Sequence, residues 1–456
     1  MRTHLLPLCL VLVGCMPGPV PDQATRAAPP ENAMALPPIK TFATPDPTRP
    51  QRSNVDIARD FLDLSFRLES GRDLPVLTRF TQPISIRVTG AVPTTLMPDL
   101  RRLVYRLKHE AGLQVALTNA PSASITIQAI TRAQIRKTLP QAACFVVPNI
   151  TSIAQYPAAR RSPKANWALL RKRTQMAVFV PSDAAPQEVR DCLHEELAQA
   201  MGPLDDLYRL PDSVFNDDNI HTVLTGFDML MLKTYYAPEL HNGMTRAQAA
   251  ARLPAILARL NPAGEHVAPV NPGPTPRSWI DAIQTALGPG ASHARRIAAG
   301  RRALSIAKSL GWQDHRRAFA HYSMGRLLAA TDPEGALAHF KAADRFYAMV
   351  PNTSLHRAYV AAQLAAHALS QGDARGTITL VNHAIPAASR SENAALLSTL
   401  LLLRAEALEL SGHLAEAADV RLDSLGWARY GFGADWAVRA KLREIGALNP
   451  LKGKRG

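Results

Sequence analysis

Cysteine, long apolar runs and acidic charge are all scarce in this chain, and nucleotide-binding glycine loops are missing. Four cysteines among 456 residues form no C-x-x-C pair, which excludes a vicinal dithiol or a thiolate zinc ribbon. After residue 13 no stretch is apolar enough, over about 18 residues, to span a bilayer. Neither G-x-G-x-x-G nor G-x-x-x-x-G-K-[ST] occurs, so nothing points to a nucleotide, and there is no G-x-S-x-G nucleophile elbow. Asp and Glu number 37 against 52 Lys and Arg, a formal net charge of +15. That imbalance permits contact with lipid headgroups, nucleic acid or acidic protein without choosing among them. What the chain does have is bulk. Apolar residues at 47% and charged residues at 20% of 456 positions suffice for about two or three packed domains.

Arg2 and His4 precede an apolar run from Leu5 to Val13, too short for a mature spanning helix but suited to a secretory signal. The run ends Leu12-Val13-Gly14-Cys15, which resembles the lipobox of bacterial lipoproteins. The resemblance implies cleavage before Cys15 and lipidation of Cys15 as the first mature residue. With Met16 next rather than aspartate, it implies an outer-membrane lipoprotein facing the periplasm. The alternative is an ordinary signal cut nearby and a secreted or periplasmic protein. A multiply acylated cysteine holds stably, because each buried methylene contributes about 0.8 kcal/mol. With Cys9 lost in the signal and Cys15 lipidated, Cys144 and Cys192 remain, a disulfide pair in an oxidising compartment or else two buried thiols. A bridge closes a loop of about 49 residues, for roughly 4 kcal/mol in the chain-entropy model.

Residues 16–53 are rich in proline and alanine without apolar period and read as a semi-extended tether. From 54 to 260 the pattern is mixed α/β. Helical spacing runs through Ile57, Ala58, Phe61, Leu62 and Leu64, and again through Leu100, Leu103, Val104 and Leu107. Alternation at Ile84, Ile86 and Val88 and at Ile125, Ile127 and Ala129, with apolar runs at Phe145–Val147 and Met176–Val180, predicts strands. Pro186 opens a helix near 186–201. The basic segment between Arg160 and Arg173 reads as an anion-binding loop or, more blandly, a solvated surface loop. Prolines mark a linker over 261–277. Residues 278–447 lack strand alternation and repeat weakly at a step of about 40 residues. The repeated turns are Asp332-Pro333-Glu334-Gly335-Ala336, Gly372-Asp373-Ala374 and Gly412-His413-Leu414. Each unit reads as helix, turn, helix, with Gly325, Ala366 and Ala405 where the helices approach. These units resemble tetratricopeptide-type repeats with a longer period, and the resemblance implies a concave surface for a protein partner. Residues 448–456 form a basic tail.

The most informative stretch is Asp191-Cys192-Leu193-His194-Glu195-Glu196-Leu197-Ala198-Gln199-Ala200-Met201-Gly202-Pro203-Leu204-Asp205-Asp206. His194-Glu195 begins an H-E-x-x-H motif, but Ala198 occupies the second histidine place and has no lone pair for zinc. One residue on, the stretch resembles the metzincin pattern, with Glu195, Gln199 and Asp205 in the three histidine places. Glu196 falls in the general-base place and Gly202 at the turn. Glu195 and Gln199, four apart, share a helical face. Two carboxylates and an amide are hard oxygen donors, suited to calcium, magnesium or manganese rather than zinc. Glu195 and Glu196 diverge by about 100°, so they cannot flank a glycosidic bond. His194, His221 and His241 lie nearby; each could serve as a ligand from outside the motif but reads rather as a surface or core histidine.

Downstream come Leu210-Pro211-Asp212-Ser213-Val214-Phe215-Asn216-Asp217-Asp218 and, later, Gly243-Met244. With the E-E-x-x-Q helix, these resemble the domain-of-unknown-function 2927 family of Gram-negative secreted and lipid-anchored proteins, over about residues 55–255. The resemblance implies a zincin-like α/β fold without assigned activity, followed here by an all-α helix-pair repeat domain. The function expected is a lipid-anchored envelope adaptor with a non-catalytic metzincin-like domain and no cofactor, its repeats holding an envelope protein and its anchor the membrane, with no nucleic acid. The alternative is a peptidase-like hydrolase, with a divalent cation other than zinc on Glu195, Gln199 and Asp205, and Glu196 as base. A weaker third reading is a basic scaffold on anionic lipid.

Overall fold

In a computed structural model of the chain, residues 36–43 and 48–453 are described; the signal segment, Cys15 and much of the tether lie outside them. Five strands form one sheet in the order β2-β1-β3-β5-β4. They are β1 (Ile84–Gly90), β2 (Val115–Leu117), β3 (Ile125–Ile130), β4 (Phe145–Pro148) and β5 (Met176–Pro181). All pairings are parallel except β4 with β5. The period of two explains why β5 reads as an unbroken apolar run. Met176, Val178 and Val180 enter the main core, while Ala177 and Phe179 enter a smaller core on the other face with Ile135, Phe145 and Ile150.

The helices of this half are α1 (Asn54–Ser65), α2 (Leu96–His109), α3 (Arg132–Thr138), α4 (Tyr156–Ala159), α5 (Pro186–Met201), α6 (Gly226–Tyr235), α7 (Arg246–Ala250) and α8 (Leu253–Leu260). The apolar stripes of α1, α2, α5, α6 and α8 share the main core. Helix α5 packs on β4 and β5, and a Cys144–Cys192 disulfide, Cα atoms 5.9 Å apart, joins it to the start of β4. Pro186 stands at its first turn, where no N–H is missed, and it ends at Gly202.

The second half is all helical. It comprises α9 (Arg277–Leu287), α10 (His293–Ser309), α11 (His315–Leu328), α12 (Pro333–Ala348), α13 (Ser354–Ser370), α14 (Ala374–Arg390), α15 (Ala394–Leu410), α16 (Leu414–Phe432), α17 (Asp435–Gly446) and the short α18 (Pro450–Gly453). Helix pairs begin at His315, Ser354 and Ala394, the step of about 40 residues seen in the sequence. Their turns follow local rules. Asp332 and Asp373 cap α12 and α14 by accepting from the N–H groups of Gly335 (2.9 Å) and Gly376 (2.8 Å). Gly372 and Gly412 take the positive φ that ends α13 and α15. Gly325 lets α11 and α12 close up: a Cβ there would lie 2.7 Å from the Phe340 ring.

From Pro37 onward the halves form one compact unit, and polar contacts join them. Tyr430 of α16 donates to Asp99 of α2 (2.7 Å), and Gln187 of α5 donates to Asn393 (3.2 Å) and accepts from the Ala395 N–H (2.9 Å). Glu392, buried at a φ of +52°, sits between Arg102 and Arg190. Two buried histidines of the array read the loop after α5: His315 bonds the Tyr208 carbonyl (2.7 Å) and His356 the Asp218 carboxylate (2.9 Å). In the 261–277 segment, Val270 and Asn271 N–H groups donate to Asp56 in the first turn of α1. Among the described residues no helix is long and apolar enough to cross a membrane.

Candidate functional site

Everything at the site depends on how α5 ends. Its last carbonyls are capped by side chains: Arg173, buried, donates to the Gln199 and Gly202 carbonyls, and Tyr236 donates to that of Met201 (2.9 Å). These contacts satisfy acceptors that a helix terminus leaves open. Arg173 closes the basic segment, so for this residue the solvated-loop reading is corrected: it is the clamp on the motif helix. A Cβ on Gly202 would lie 3.3 Å from Leu232 and Tyr235 of α6, so glycine also permits the close packing beyond the helix.

Glu195 and Gln199 lie on one face, as their spacing requires. The residue beside them on that face, Glu69, has no motif of its own to point to it. Glu69, on the exposed turn after α1, accepts from the Gln199 amide (3.3 Å) and hydrogen-bonds Asp206. Gly71, at a φ of +81°, makes that turn possible. Asp206 has Glu69, Glu195, Asp217 and Asp205 as its charged neighbours, whereas those of Glu195 are Glu69, Asp217 and Asp191. Asp205, placed by the motif as the third ligand, turns away. Its carboxylate accepts from the Asp206 N–H (3.0 Å) and its charged neighbours are Arg67, Glu69 and Asp63. The cause is the backbone: Leu204 and Asp205 both donate their N–H to the Leu64 carbonyl (2.9 and 3.3 Å), which fixes the chain so that the next residue faces Glu195. The group brought together is therefore Glu69, Glu195, Gln199, Asp206 and Asp217, with Asp205 at its edge.

Crowding in this group disfavours negative charge. Burial first, then Glu69, Asp217 and Asp191, pushes Glu195 up to about 8. Burial and Glu69 with its neighbours hold Asp206 well above the usual carboxylate range, and Asp205 rises to about 7 chiefly by burial. Glu69 is raised by burial and Asp217, although its exposure at the rim leaves it more screened by water. Glu196, one step round the helix, is only 5% exposed and its Oε2 has no partner among the described residues. Burial, then Glu195 and Glu69, raises it well above the ordinary value, which favours its neutral form.

His194 is turned inward and accepts the Leu224 N–H on Nδ1 (3.1 Å), burial keeping it neutral. His221 bonds the Pro211 carbonyl (3.1 Å) and His241 is exposed. Among the described residues no imidazole reaches the carboxyl group, whose donors are carboxylate and amide oxygens, a set poorer for zinc than imidazole or thiolate. Among the described residues no group of three or more His, Cys, Asp or Glu is arranged to hold a metal ion.

The loop carrying Asp217 is built by its own polar residues. Asp228 of α6, fully buried and raised to about 6 mainly by burial, binds Ser213, the Val214 N–H (3.1 Å) and the Thr225 N–H (2.8 Å). Asn216 accepts the Asp218 N–H (3.1 Å), and Asp218 accepts the Ile220 N–H (3.0 Å). Residues 54–255 match a family model described as protein of unknown function (DUF2927). The DUF2927 match runs from α1 into α8 and holds every residue of the carboxyl group; the array lies beyond it. No curated protein and no solved structure matches the chain.

Asp217, alone of the group, also lines a cleft of about 1030 Å³ between the α/β half and the array, with Tyr208, Gln284, Arg295, Phe319 and Arg326 among its other walls. A pH effect follows from the raised carboxyls. An acid with a higher value folded than unfolded binds more protons in the folded state, so stability is lost as pH rises from about 4.5 through about 8 for Glu195. Glu195→Gln is expected to raise stability at pH 8.5 by on the order of 1 kcal/mol, discounted for this half-buried position, and to change little at pH 4. Denaturant titrations of both proteins at the two pH values measure it; an equal change at both would contradict the assignment.

Proposed function

We propose that the protein is a lipid-anchored cell-envelope adaptor: a zincin-like domain with no catalytic role, joined to a tetratricopeptide-like array that binds an envelope protein. The observation that carries the non-catalytic reading is the state of the motif helix. Where the metzincin pattern has imidazoles this chain has Glu195, crowded by other carboxyls, and Gln199, whose amide donates to Glu69, and the would-be base Glu196 is buried where its ionised, proton-accepting form is disfavoured. The lipobox at Cys15 supports the anchor and an outer-membrane position facing the periplasm, and the Cys144–Cys192 bond is in keeping with an oxidising compartment. The helix pairs support protein binding, since stacked pairs leave an extended surface.

Glu196→Gln tests this reading. The amide matches the neutral acid in shape, so unfolding free energy is expected to change by less than about 1 kcal/mol. The variant should restore the phenotype of a deletion strain as fully as the natural protein does. Loss of that phenotype with normal folding would contradict the proposal.

One observation favours a second reading: Asp217 of the acidic group lines a cleft of about 1030 Å³, large enough for a peptide. In that reading a hard cation on Glu195, Gln199 and Asp205 assists hydrolysis. It requires Asp205 to swing inward and Glu196 to ionise, and it predicts a stoichiometric divalent metal in the purified protein.

A further inference from the structure

The proline-rich segment before α1 does not stand clear of the folded part throughout. Residues 37–42 lie along α16 in extended form. The Lys40 N–H donates to the Gly426 carbonyl (3.2 Å), and Arg429 donates to the Pro37 carbonyl (2.8 Å). At the far end, Arg102 of α2 donates to the Phe42 carbonyl (2.7 Å). Side chains are read too. Lys40 pairs with Asp423 and lies 5.6 Å over the Trp427 ring, and Phe42 stacks on Trp427 at 4.5 Å. Phe42 also packs against the array's core.

These contacts have the form of linear-peptide recognition. Backbone groups fix the direction of the strand, an acidic residue receives a lysine, and an aromatic wall receives an aromatic two residues on. Pro37 and Pro38 hold the peptide extended before it binds, which lowers the ordering cost. Gly426 is the opening: a Cβ there would lie 2.8 Å from Lys40 Cγ and 3.1 Å from the Pro38 carbonyl oxygen. Glycine inside a helix is unfavourable by roughly 0.5–1 kcal/mol against alanine, and the seated strand gives that choice a reason.

We propose that this groove on α16 is a recognition site for extended polypeptide segments of the pattern proline, proline, any residue, lysine, any residue, aromatic, and that residues 37–42 are its occupant in cis. A partner segment of the same pattern competes for it. The groove rests on contacts within residues 37–429 and is independent of the adaptor reading and of the anchor.

The experiment is a fluorescence-anisotropy titration with a labelled peptide of residues 36–43. It is run against the full chain and against a full-chain Lys40→Glu, Phe42→Ala variant whose own strand is weakened. The strand in cis competes at a high effective concentration. The variant is therefore expected to bind one peptide per chain, and the natural chain to bind it roughly tenfold or more weakly. Adding Asp423→Ala, an exposed substitution, to the weakened variant should abolish binding. Equal binding by natural and weakened chains, no binding by the weakened chain, or binding that survives Asp423→Ala would each overturn the proposal.

Discussion

Arg190→Ala is expected to cost the fold about 3–5 kcal/mol, because it breaks a buried ion pair with Glu392 and removes a large, fully buried side chain. Arg190 is 1% exposed. From α5 it donates to the Glu392 carbonyl (2.8 Å) and to Thr222 (3.3 Å), pairs with the carboxylates of Asp191 and Glu392, and lies 5.3 Å over the Tyr430 ring. It thus joins the motif helix, the loop after it and both ends of the α15–α16 pair. Asp191 is already raised to about 7 by burial despite this cation. Removing the guanidinium leaves Asp191 protonated at neutral pH and Glu392 with Arg102 alone. Arg190→Lys should recover only part of the loss, since an ammonium keeps the charge but lacks the planar guanidinium that lies over the Tyr430 ring. Urea unfolding of the three proteins measures this. A cost under about 1 kcal/mol for the alanine variant would show that Arg190 does not hold the halves together.

Cys144→Ser is the second large effect. The bond closes a loop with a sequence separation of 48, and opening such a loop costs roughly 4 kcal/mol through the entropy of the unfolded chain. Both sulfurs lie beside the sheet, with Cys192 buried in the main core, so the serine hydroxyl adds a desolvation cost. Cys192→Ser should therefore be at least as damaging, and dithiothreitol should destabilise the natural protein but neither variant. Equal unfolding midpoints with and without reductant would contradict this account.

Much of the fold was legible because it is written in periods. Ile84, Ile86 and Val88 alternate as β1 requires, Met176–Val180 is unbroken because β5 is covered on both faces, and Pro186 and Gly202 bracket α5. Strand β2, three residues long, is too short to show a period, and α3 has a single buried apolar residue, Ile135. The candidate site was legible only within its own helix. Spacing puts Glu195 and Gln199 on one face, but which aspartate follows them depends on the Leu64 carbonyl, about 140 residues earlier in the chain. Glu69 carries no local signal beyond the turn at Gly71, and Arg173 looks like any other cation of a basic segment until the helix end it caps is in place.

The central claim of the proposed reading is that the Glu195–Gln199 face of the motif helix does not hold zinc. Elemental analysis of the full chain, purified without chelator and then equilibrated with zinc, tests it most directly. Far less than one zinc per chain is the predicted result, unchanged by Glu195→Gln. One tightly held zinc per chain, lost on Glu195→Gln, would contradict it.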